Sequence, residues 1–313
     1  MITRFADNPI LSPDDWPYRV SAVFNPGAAL LRDGTTLLLC RVETHDGFSH
    51  LAAARSKDGY SNWQIDAEPT FSADVTNFPE EAWGVEDPRI VWLPERSCFA
   101  VTYTAYGPDG PGVSLALTAD FKQFERLGMI LPPEDKDAAL LPERIGGMWQ
   151  MIHRPVSPNG KHIWISQSPD LIHWGRRRKV MAARTGGWWD AGKIGLSTPL
   201  IPAPSGWLMV YHGVRETVCG SIYRVGLALL DRDDPSRCIR RSREWLLGPT
   251  HQLERTGDVP NVVFPGGYTI REEEGLVRLY FGMADTWIGT AEGRLDEWLN
   301  WLEATGIPAD VGC

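Results

Sequence analysis

A hairpin pattern that recurs five times is the strongest constraint on how this chain of 313 residues can fold. Its first copy is SAVFNPGAALLRDGTTLLLCRVET, residues 21–44, where two apolar runs flank the turn signal Asp33-Gly34. In every copy a further apolar strand begins 26 or 27 residues after a fixed starting residue. Those starting residues are Asn25, Glu86, Lys136, Thr198 and Asn261.

Such a repeat predicts an all-β chain, because each unit is too small to bury both faces of its sheet alone. We expect a five-bladed β-propeller that spans residues 1–313 as a single domain, with blade boundaries near residues 74, 132, 190 and 252. The first 20 residues are expected to help close the ring. A β-sandwich with similar hairpins is the alternative. Near the C-terminus, LDEWLNWLEATG predicts a short helical segment that ends at Gly306 and caps the last blade.

Polar residues gather at the ends of these hairpins. The start of the first strand and the end of the second lie side by side in an antiparallel hairpin, so in a propeller all the polar ends meet on one face. This arrangement predicts a functional site there. The candidate residues are Asn25, Arg41, Glu86, Asp87, Lys136, His153, Arg154, Lys193, His212 and Asp285.

Four of these candidates are cations, namely Arg41, Lys136, Arg154 and Lys193. The net charge of −9 and the pI of about 5.3 argue against nucleic acid or an anionic membrane as partner. Clustered cations need an anion or buried carboxylates nearby, and Arg and Lys together suit phosphate. Each cation alone could instead pair with a neighbouring Glu or Asp and connect two blades, but the four cations together favour a bound anion.

Asp87, in WGVEDPRI, is a candidate general acid if it faces those cations. The alternative is a plain Asp-Pro turn in which Arg89 pairs with Glu86. His153 and His212 are further candidates for proton transfer or substrate contact, although buried histidines are often structural.

The sequence lacks the motifs of several other classes of enzyme. The sequence has no Ser-His-Asp pattern, phosphate-binding glycine loop or HExxH helix, and its five cysteines lack metal-ligand spacing. We therefore expect no metal and no organic cofactor. No signal-peptide core or run of 18 apolar residues occurs, so we expect a cytoplasmic protein with reduced thiols. A homo-oligomer is compatible with the sequence.

An ordered set of motifs resembles glycoside hydrolase family 130, the β-mannoside phosphorylases. The motifs, spread between Asn8-Pro9 and about Trp287, are FNPGA, GVEDPRI, KDAALLPERIGGMWQMIHRP, KIG, VYHGV, YRVGLALLD and NVVFPGG…YFGMADT. The resemblance implies a five-bladed propeller and inverting phosphorolysis, in which inorganic phosphate attacks a terminal β-mannosyl unit and yields α-mannose 1-phosphate.

The resemblance also implies roles for individual residues. Asp87 would be the acid, protonating the leaving oxygen through a hydroxyl of the mannose. The implied phosphate ligands are Lys136, Arg154, Lys193 and Tyr223, and the implied sugar contacts are Asn25, Arg41 and Asp285. Family members that hydrolyse have lost phosphate ligands, whereas this chain keeps all four. KIGLSTPL and FPGG depart from the usual family pattern near the site for the leaving sugar.

Two other functions stay open at this point. An exo-acting β-mannosidase would use Asp87 as acid and Glu43, Glu216 or Asp285 as base, because an inverting hydrolase must activate water. A non-catalytic sugar-binding propeller would use the 14 tryptophans as stacking platforms. Phosphate is already an anionic nucleophile, so phosphorolysis needs only one acid. The linkage, β-1,2 or β-1,4, and the leaving sugar stay open.

Overall fold

The computed structural model describes residues 1–308, except for the side chain of Glu272. Its strands, in chain order, are β1 Thr3–Arg4, β2 Ala22–Leu30, β3 Thr36–Glu43, β4 Ser49–Ser56, β5 Gln64–Ile65, β6 Gly84–Leu93, β7 Cys98–Gly107, β8 Gly110–Thr118, β9 Glu125–Leu131, β10 Asp135–Leu140, β11 Trp149–Ser157, β12 Gly160–Lys161, β13 Ile163–Ser168, β14 Gly175–Met181, β15 Lys193–Leu196, β16 Ile201–Ala203, β17 Gly206–Thr217, β18 Gly220–Leu230, β19 Cys238–Arg241, β20 Val263–Arg271, β21 Leu276–Met283, β22 Trp287–Arg294 and β23 Ile307–Pro308. The helices are α1 Gln252–Arg255 and α2 Leu295–Thr305, with single 3-10 turns at Pro13–Asp15, Pro79–Glu81, Pro94–Arg96 and Glu272–Glu274.

The strands of the described residues form four sheets. Their orders are β2-β3-β4-β6-β7-β8-β9 with β5 on β4, β10-β11-β13-β14 with β12 on β11, β15-β17-β18-β19-β23 with β16 on β17, and β1-β22-β21-β20. A single parallel pair, Ser49 with Gly84, joins two antiparallel units into the first sheet. The all-β prediction is confirmed, and each predicted hairpin with its third strand is present.

The apolar core lies between neighbouring units. Successive residues of each strand point to opposite faces, so both faces of a unit contribute to the core. One buried cluster combines Leu37 of β3 with Val101 of β7, and the next combines Val91 of β6 with Met151 of β11. In chain order the five units are β2–β5, β6–β9, β10–β14, β15–β19 and β20–β22. Three further clusters connect the third unit to the fourth, the fourth to the fifth, and the fifth back to the first.

Both ends of the described chain pack onto the last two units. Helix α2 forms where its sequence predicts it, with Trp298 and Leu302 buried four residues apart on one face. These side chains enter the core between the fourth and fifth units, so the helix does more than cap the last unit. The Trp298 indole donates a hydrogen bond to the Met1 carbonyl at 2.7 Å, and β1 pairs with β22. Across residues 1–308, no helix has the length and apolar character needed to cross a membrane.

Candidate active site

Three first strands carry a β-bulge, two of them at the predicted site residues Asn25 and Asp87 and the third directly after the predicted site residue Lys136. The pairing register shifts between Phe24 and Gly27, between Glu86 and Arg89, and between Lys136 and Ala139. The residues in the bulges, Asn25, Asp87 and Asp137, have φ angles of 45°, 48° and 54°. Asn and Asp tolerate this left-handed conformation better than other side chains, and bulges re-aim the side chains that they carry. The local sequence therefore suits strands that turn polar side chains out of the ladder.

Arg41 organises the carboxylates of the site. Its guanidinium lies 3.0 Å from Glu86 Oε1, 3.2 Å from Glu43 Oε2 and 3.3 Å from Asp87 Oδ1. Burial opposes the charge of Arg41, but the surrounding carboxylates outweigh it and raise the pKa of this guanidinium. Arg41 is therefore firmly charged and holds the carboxylates in one place.

Asp87 is buried, and its side chain is fixed from two directions. Asn25 Nδ2 donates to Asp87 Oδ1 at 3.0 Å, and Arg41 contacts the same oxygen. Burial would raise the pKa of Asp87, yet nearby cations, Arg41 and Lys136 foremost, hold it below its ordinary range. Burial, with the adjacent Asp87 carboxylate, has the opposite effect on Glu86 and raises its pKa.

Asp285 lies in the turn between β21 and β22 with a φ of 50°. Its carboxylate has neither an ion pair nor a hydrogen bond among residues 1–308. Burial, together with the Asp87 charge, raises the pKa of Asp285 to about 7. The site thus holds one carboxyl group, Asp87, whose pKa is lowered and another, Asp285, that changes its charge near neutral pH.

The cations form a second group, arranged around Asp137. Arg154 Nε donates to Asp137 Oδ2 at 2.8 Å. Lys136 of β10 lies directly opposite Arg154 of β11 in the strand register. Lys193 has no carboxylate within ion-pair distance in the described part of the chain, and its ammonium lies 4.9 Å from the Tyr223 ring centroid. Burial lowers the pKa of Lys193, and the positive charges of Arg154 and Lys136 lower it further. The group therefore carries more positive charge than Asp137 balances.

Tyr223 and His212 complete this second group. Burial raises the pKa of Tyr223 to about 12, so its hydroxyl stays protonated. Burial lowers the pKa of His212 to about 3 despite the Asp137 carboxylate, whose Oδ2 lies 3.6 Å from His212 Nε2. Both side chains are neutral at pH 7 and supply polar groups rather than charge.

Arg89 connects the two groups, a role that the sequence analysis missed. It is almost fully buried and donates hydrogen bonds to the carbonyl oxygens of Asp87 at 3.1 Å, Leu196 at 2.9 Å and Ser197 at 2.7 Å. Its Nη2 also lies 3.6 Å from Asp137 Oδ1. The anticipated partner, Glu86, pairs with Arg41 instead. An Arg next to the Asp-Pro pair was the available signal, but two of its carbonyl partners, Leu196 and Ser197, are more than 100 residues away.

Two glycines leave room for this packing. A Cβ atom at Gly195 would overlap Asp137 Oδ2 and the His212 ring, and one at Gly282 would overlap Asn25 Oδ1. Any larger residue at these positions would displace a side chain of the site. The glycine of the KIG motif therefore has a steric reason to be there.

Comparison with known proteins identifies the chain. A profile described as beta-1,4-mannooligosaccharide phosphorylase, that of glycoside hydrolase family 130, matches residues 4–304. The chain belongs to glycoside hydrolase family 130. A 1,2-beta-oligomannan phosphorylase of Thermoanaerobacter sp. (strain X514) is 33% identical over 93% of this chain and 96% of its own.

Two other proteins of the family are similar to this chain, one in sequence and one in both sequence and structure. A beta-1,4-mannooligosaccharide phosphorylase of Ruminococcus albus is 32% identical over 97% of this chain and 91% of its own length. The solved beta-1,2-mannobiose phosphorylase of Listeria innocua, in complex with beta-1,2-mannobiose, superposes with a TM-score of 0.88. It is 28% identical and covers 97% of this chain and 99% of its own.

The structure of this family 130 chain brings together most of the predicted site residues, but not His153. That histidine is fully buried, with Nδ1 2.6 Å from Asp135 Oδ2 and Nε2 2.9 Å from Ser166 Oγ. Its strand neighbour Arg154 reaches Asp137, and adjacent residues of a strand point to opposite faces. We therefore leave His153 out of the set proposed to bind substrate.

Proposed function

We propose that the protein catalyses inverting phosphorolysis of terminal β-mannosides and releases α-mannose 1-phosphate. The observation that carries this proposal is the cation group of Lys136, Arg154 and Lys193, which holds more positive charge than Asp137 balances. Arg offers phosphate a bidentate fork and Lys a point charge, and a dianion there would relieve the repulsion between them. Tyr223 would add a neutral hydroxyl donor to the same oxygens.

The reaction needs the protein chiefly to position phosphate against the sugar. Phosphate oxygen bonds to the anomeric carbon from the side opposite to the leaving oxygen, the bond between that carbon and the leaving oxygen breaks, and the configuration changes from β to α. We assign to Asp87 the proton that the leaving oxygen receives by way of a mannose hydroxyl. Asn25 and Arg41 hold the Asp87 carboxylate in place, while Arg41, Glu86, His212 and Asp285 are proposed to contact the sugar.

Bound phosphate would also favour the protonated form of the acid, Asp87. Without an anion, the cations lower the pKa of Asp87 and disfavour its protonated form. A phosphate dianion bound beside Lys136 would offset that positive field and raise the pKa of Asp87. The acid would thus be protonated most readily when the nucleophile is in place. The reaction needs no metal and no organic cofactor, only inorganic phosphate as co-substrate.

We infer that the five units form one five-bladed propeller domain. The buried clusters between successive units, including the one between the fifth and the first, support this inference. The close approach of the first strands to one another also supports this inference. A Cβ atom at Gly27 would overlap Pro88 O, and one at Gly267 would overlap Ala28 N. Arg89 reaches from β6 to β15 and lies 5.6 Å from the Phe264 ring of β20, as expected near a central axis.

We also infer that the protein acts in a reducing compartment such as the cytoplasm. Within the described residues, Cys40, Cys98 and Cys219 are free thiols, while Cys313 lies outside that range. Free cysteines are typical of proteins kept reduced after synthesis.

The decisive experiment is the reaction in reverse. The protein is incubated with α-mannose 1-phosphate and a panel of acceptors, namely mannose, glucose, N-acetylglucosamine and β-1,2- and β-1,4-mannobiose, while phosphate release is followed. We expect release with at least one acceptor, and analysis of the product gives the linkage. Asp87→Asn is the negative control.

A hydrolase would behave differently in the same assay. It would release no phosphate with any acceptor and would free mannose from β-mannosides in phosphate-free buffer. That result would contradict the proposed phosphorolysis and make the cation group structural. A protein that binds mannosides and turns over none would instead be a sugar-binding module.

A further inference from the structure

A cavity of about 460 Å³ lies behind the strand that carries Tyr223. Arg224 lines the cavity, and adjacent residues of a strand point to opposite faces, so Tyr223 faces the candidate active site and Arg224 faces away from it. The other walls are the loop before β15 and the segment that follows β19. The cavity is therefore separated from the phosphate ligands by the β17–β18 hairpin.

The aromatic floor of this cavity is built into the fold. The indole of Trp189 lies against Gly213 and Gly226, where Cβ atoms would come within 2.6 Å of the ring. Trp189 Nε1 donates to the Arg243 carbonyl at 3.1 Å, which ties two walls together. Trp245 also lines the cavity and leaves 46% of its surface exposed. The cavity thus combines a fixed aromatic floor with an accessible indole.

The polar lining is strongly positive. Arg215, Arg224 and Arg243 line the cavity, and within residues 1–308 none of their side chains has an ion pair or hydrogen bond. The Arg224 guanidinium lies 4.3 Å from the Trp245 ring centroid, and burial together with Arg215 lowers the pKa of Arg224. Glu244 is the acidic residue of the lining. In a chain of net charge −9, this concentration of unpaired arginine calls for an anion.

We propose that the cavity is a second ligand site that binds a sugar phosphate. Arginine guanidinium groups recognise phosphate oxygens, and exposed indole faces receive the apolar face of a sugar ring. The volume lies within the range of roughly 300–1,000 Å³ that is usual for small-molecule sites, and it is ample for a monosaccharide with one phosphate. This inference goes beyond the proposed function, because the site has its own residues and needs no turnover.

The test measures how many α-mannose 1-phosphate molecules each chain binds, by isothermal titration calorimetry. We expect two classes of site on the wild-type protein. Lys193→Ala should weaken one class, and the double variant Arg215→Ala/Arg243→Ala should weaken the other at least tenfold. Both of these arginines are exposed, so their removal should leave the fold intact. Arg177→Ala is the matched control, since that exposed arginine lies 5.0 Å from the Trp164 ring outside the cavity.

Parallel titrations with inorganic phosphate and with neutral β-mannobiose test the two parts of the ligand. The cavity site should bind each of them at least tenfold more weakly than it binds α-mannose 1-phosphate, and Trp245→Ala should remove the preference for the sugar. A single class of site that Lys193→Ala weakens would overturn the proposal. Equal affinity of the cavity site for inorganic phosphate would overturn the sugar assignment. Unchanged binding in the double arginine variant would overturn the location.

Discussion

Replacing Asp137 by Asn removes one charge from the centre of the cation group and leaves its shape nearly unchanged. The backbone is preserved, because Asn accepts the φ of 54° that Asp137 adopts. The carboxylate lies 2.8 Å from Arg154 Nε and 3.6 Å from Arg89 Nη2, and its side chain is 3% exposed. Breaking a buried pair of this kind costs about 3–5 kcal/mol, because the partner charges stay buried and unbalanced. We expect that loss in the free energy of unfolding.

Phosphate should partly restore the stability of Asp137→Asn. A bound dianion replaces the missing negative charge, so saturating phosphate should stabilise the variant by at least about 1 kcal/mol more than wild type, equivalent to roughly fivefold tighter binding. The assay is urea unfolding with and without phosphate, at constant ionic strength set with chloride. Glu95→Gln is the control, since its exposed pair with Arg144 at 3.0 Å should be worth about 0–1 kcal/mol.

The pH dependence of the free energy of unfolding gives a second measurement of the Asp137 charge. Burial opposes ionisation of Asp137, but Arg154 and its neighbours lower the pKa of this carboxyl strongly. Its stabilising contribution is therefore complete above the ordinary pKa of about 3.9 and is lost as the pH falls through the folded value. Asp137→Asn should lack that acid-dependent loss. A variant within about 1 kcal/mol of wild type, or equal stabilisation of both by phosphate, would refute the charge balance inferred here.

Three further predictions concern single groups. Asp87→Asn should reduce kcat by at least about a thousandfold, by removal of the acid, with an unchanged circular dichroism spectrum; measurable turnover near the wild-type rate would exclude Asp87 as the acid. Lys193→Ala should raise the KM for phosphate by roughly 10–100-fold, the equivalent of a lost charge-assisted contact, and change the KM for the mannoside by less than about threefold. Lys161→Ala is its surface control, and equal effects on both KM values would reject the assignment. Because burial raises the pKa of Asp285 to about 7, the contribution of this carboxyl group to wild-type stability should fall as the pH rises from about 4 to 7, and Asp285→Asn should lack that contribution. Superimposable pH profiles of unfolding would show that Asp285 does not titrate in this range.

Much of the site could be read from local sequence, because local backbone chemistry places its residues. Asn25-Pro26 and Asp87-Pro88 stand at strand positions that need a left-handed residue and a break in the ladder. The apolar runs on either side of turn residues predicted the strands, and the spacing of 26 or 27 residues predicted the repeat. Family motifs then supplied Tyr223, which position alone left as the start of a strand.

Other features depend on contacts that no local pattern encodes. Arg89 looks like a partner of Glu86 in the sequence, but in the fold it donates to the carbonyl oxygens of Leu196 and Ser197, more than 100 residues away. His153 stands at a hairpin end like the site residues, yet its ring meets Asp135 and Ser166. In both cases the choice of partner followed from the direction of a side chain within a packed sheet.

The sequence by itself determined the all-β class, the repeated unit, the helix near the C-terminus and the family, since each is carried by residue type and spacing along the chain. Only the tertiary structure decided which carboxyl group near Arg41 is ionised, that Asp137 lies within ion-pair distance of Arg154 and Arg89, and that arginines without an ion pair gather behind Tyr223. The physical reason is that a pKa or a charge balance depends on burial and on distances of a few ångströms. Those distances exist only after residues far apart in the chain have packed together.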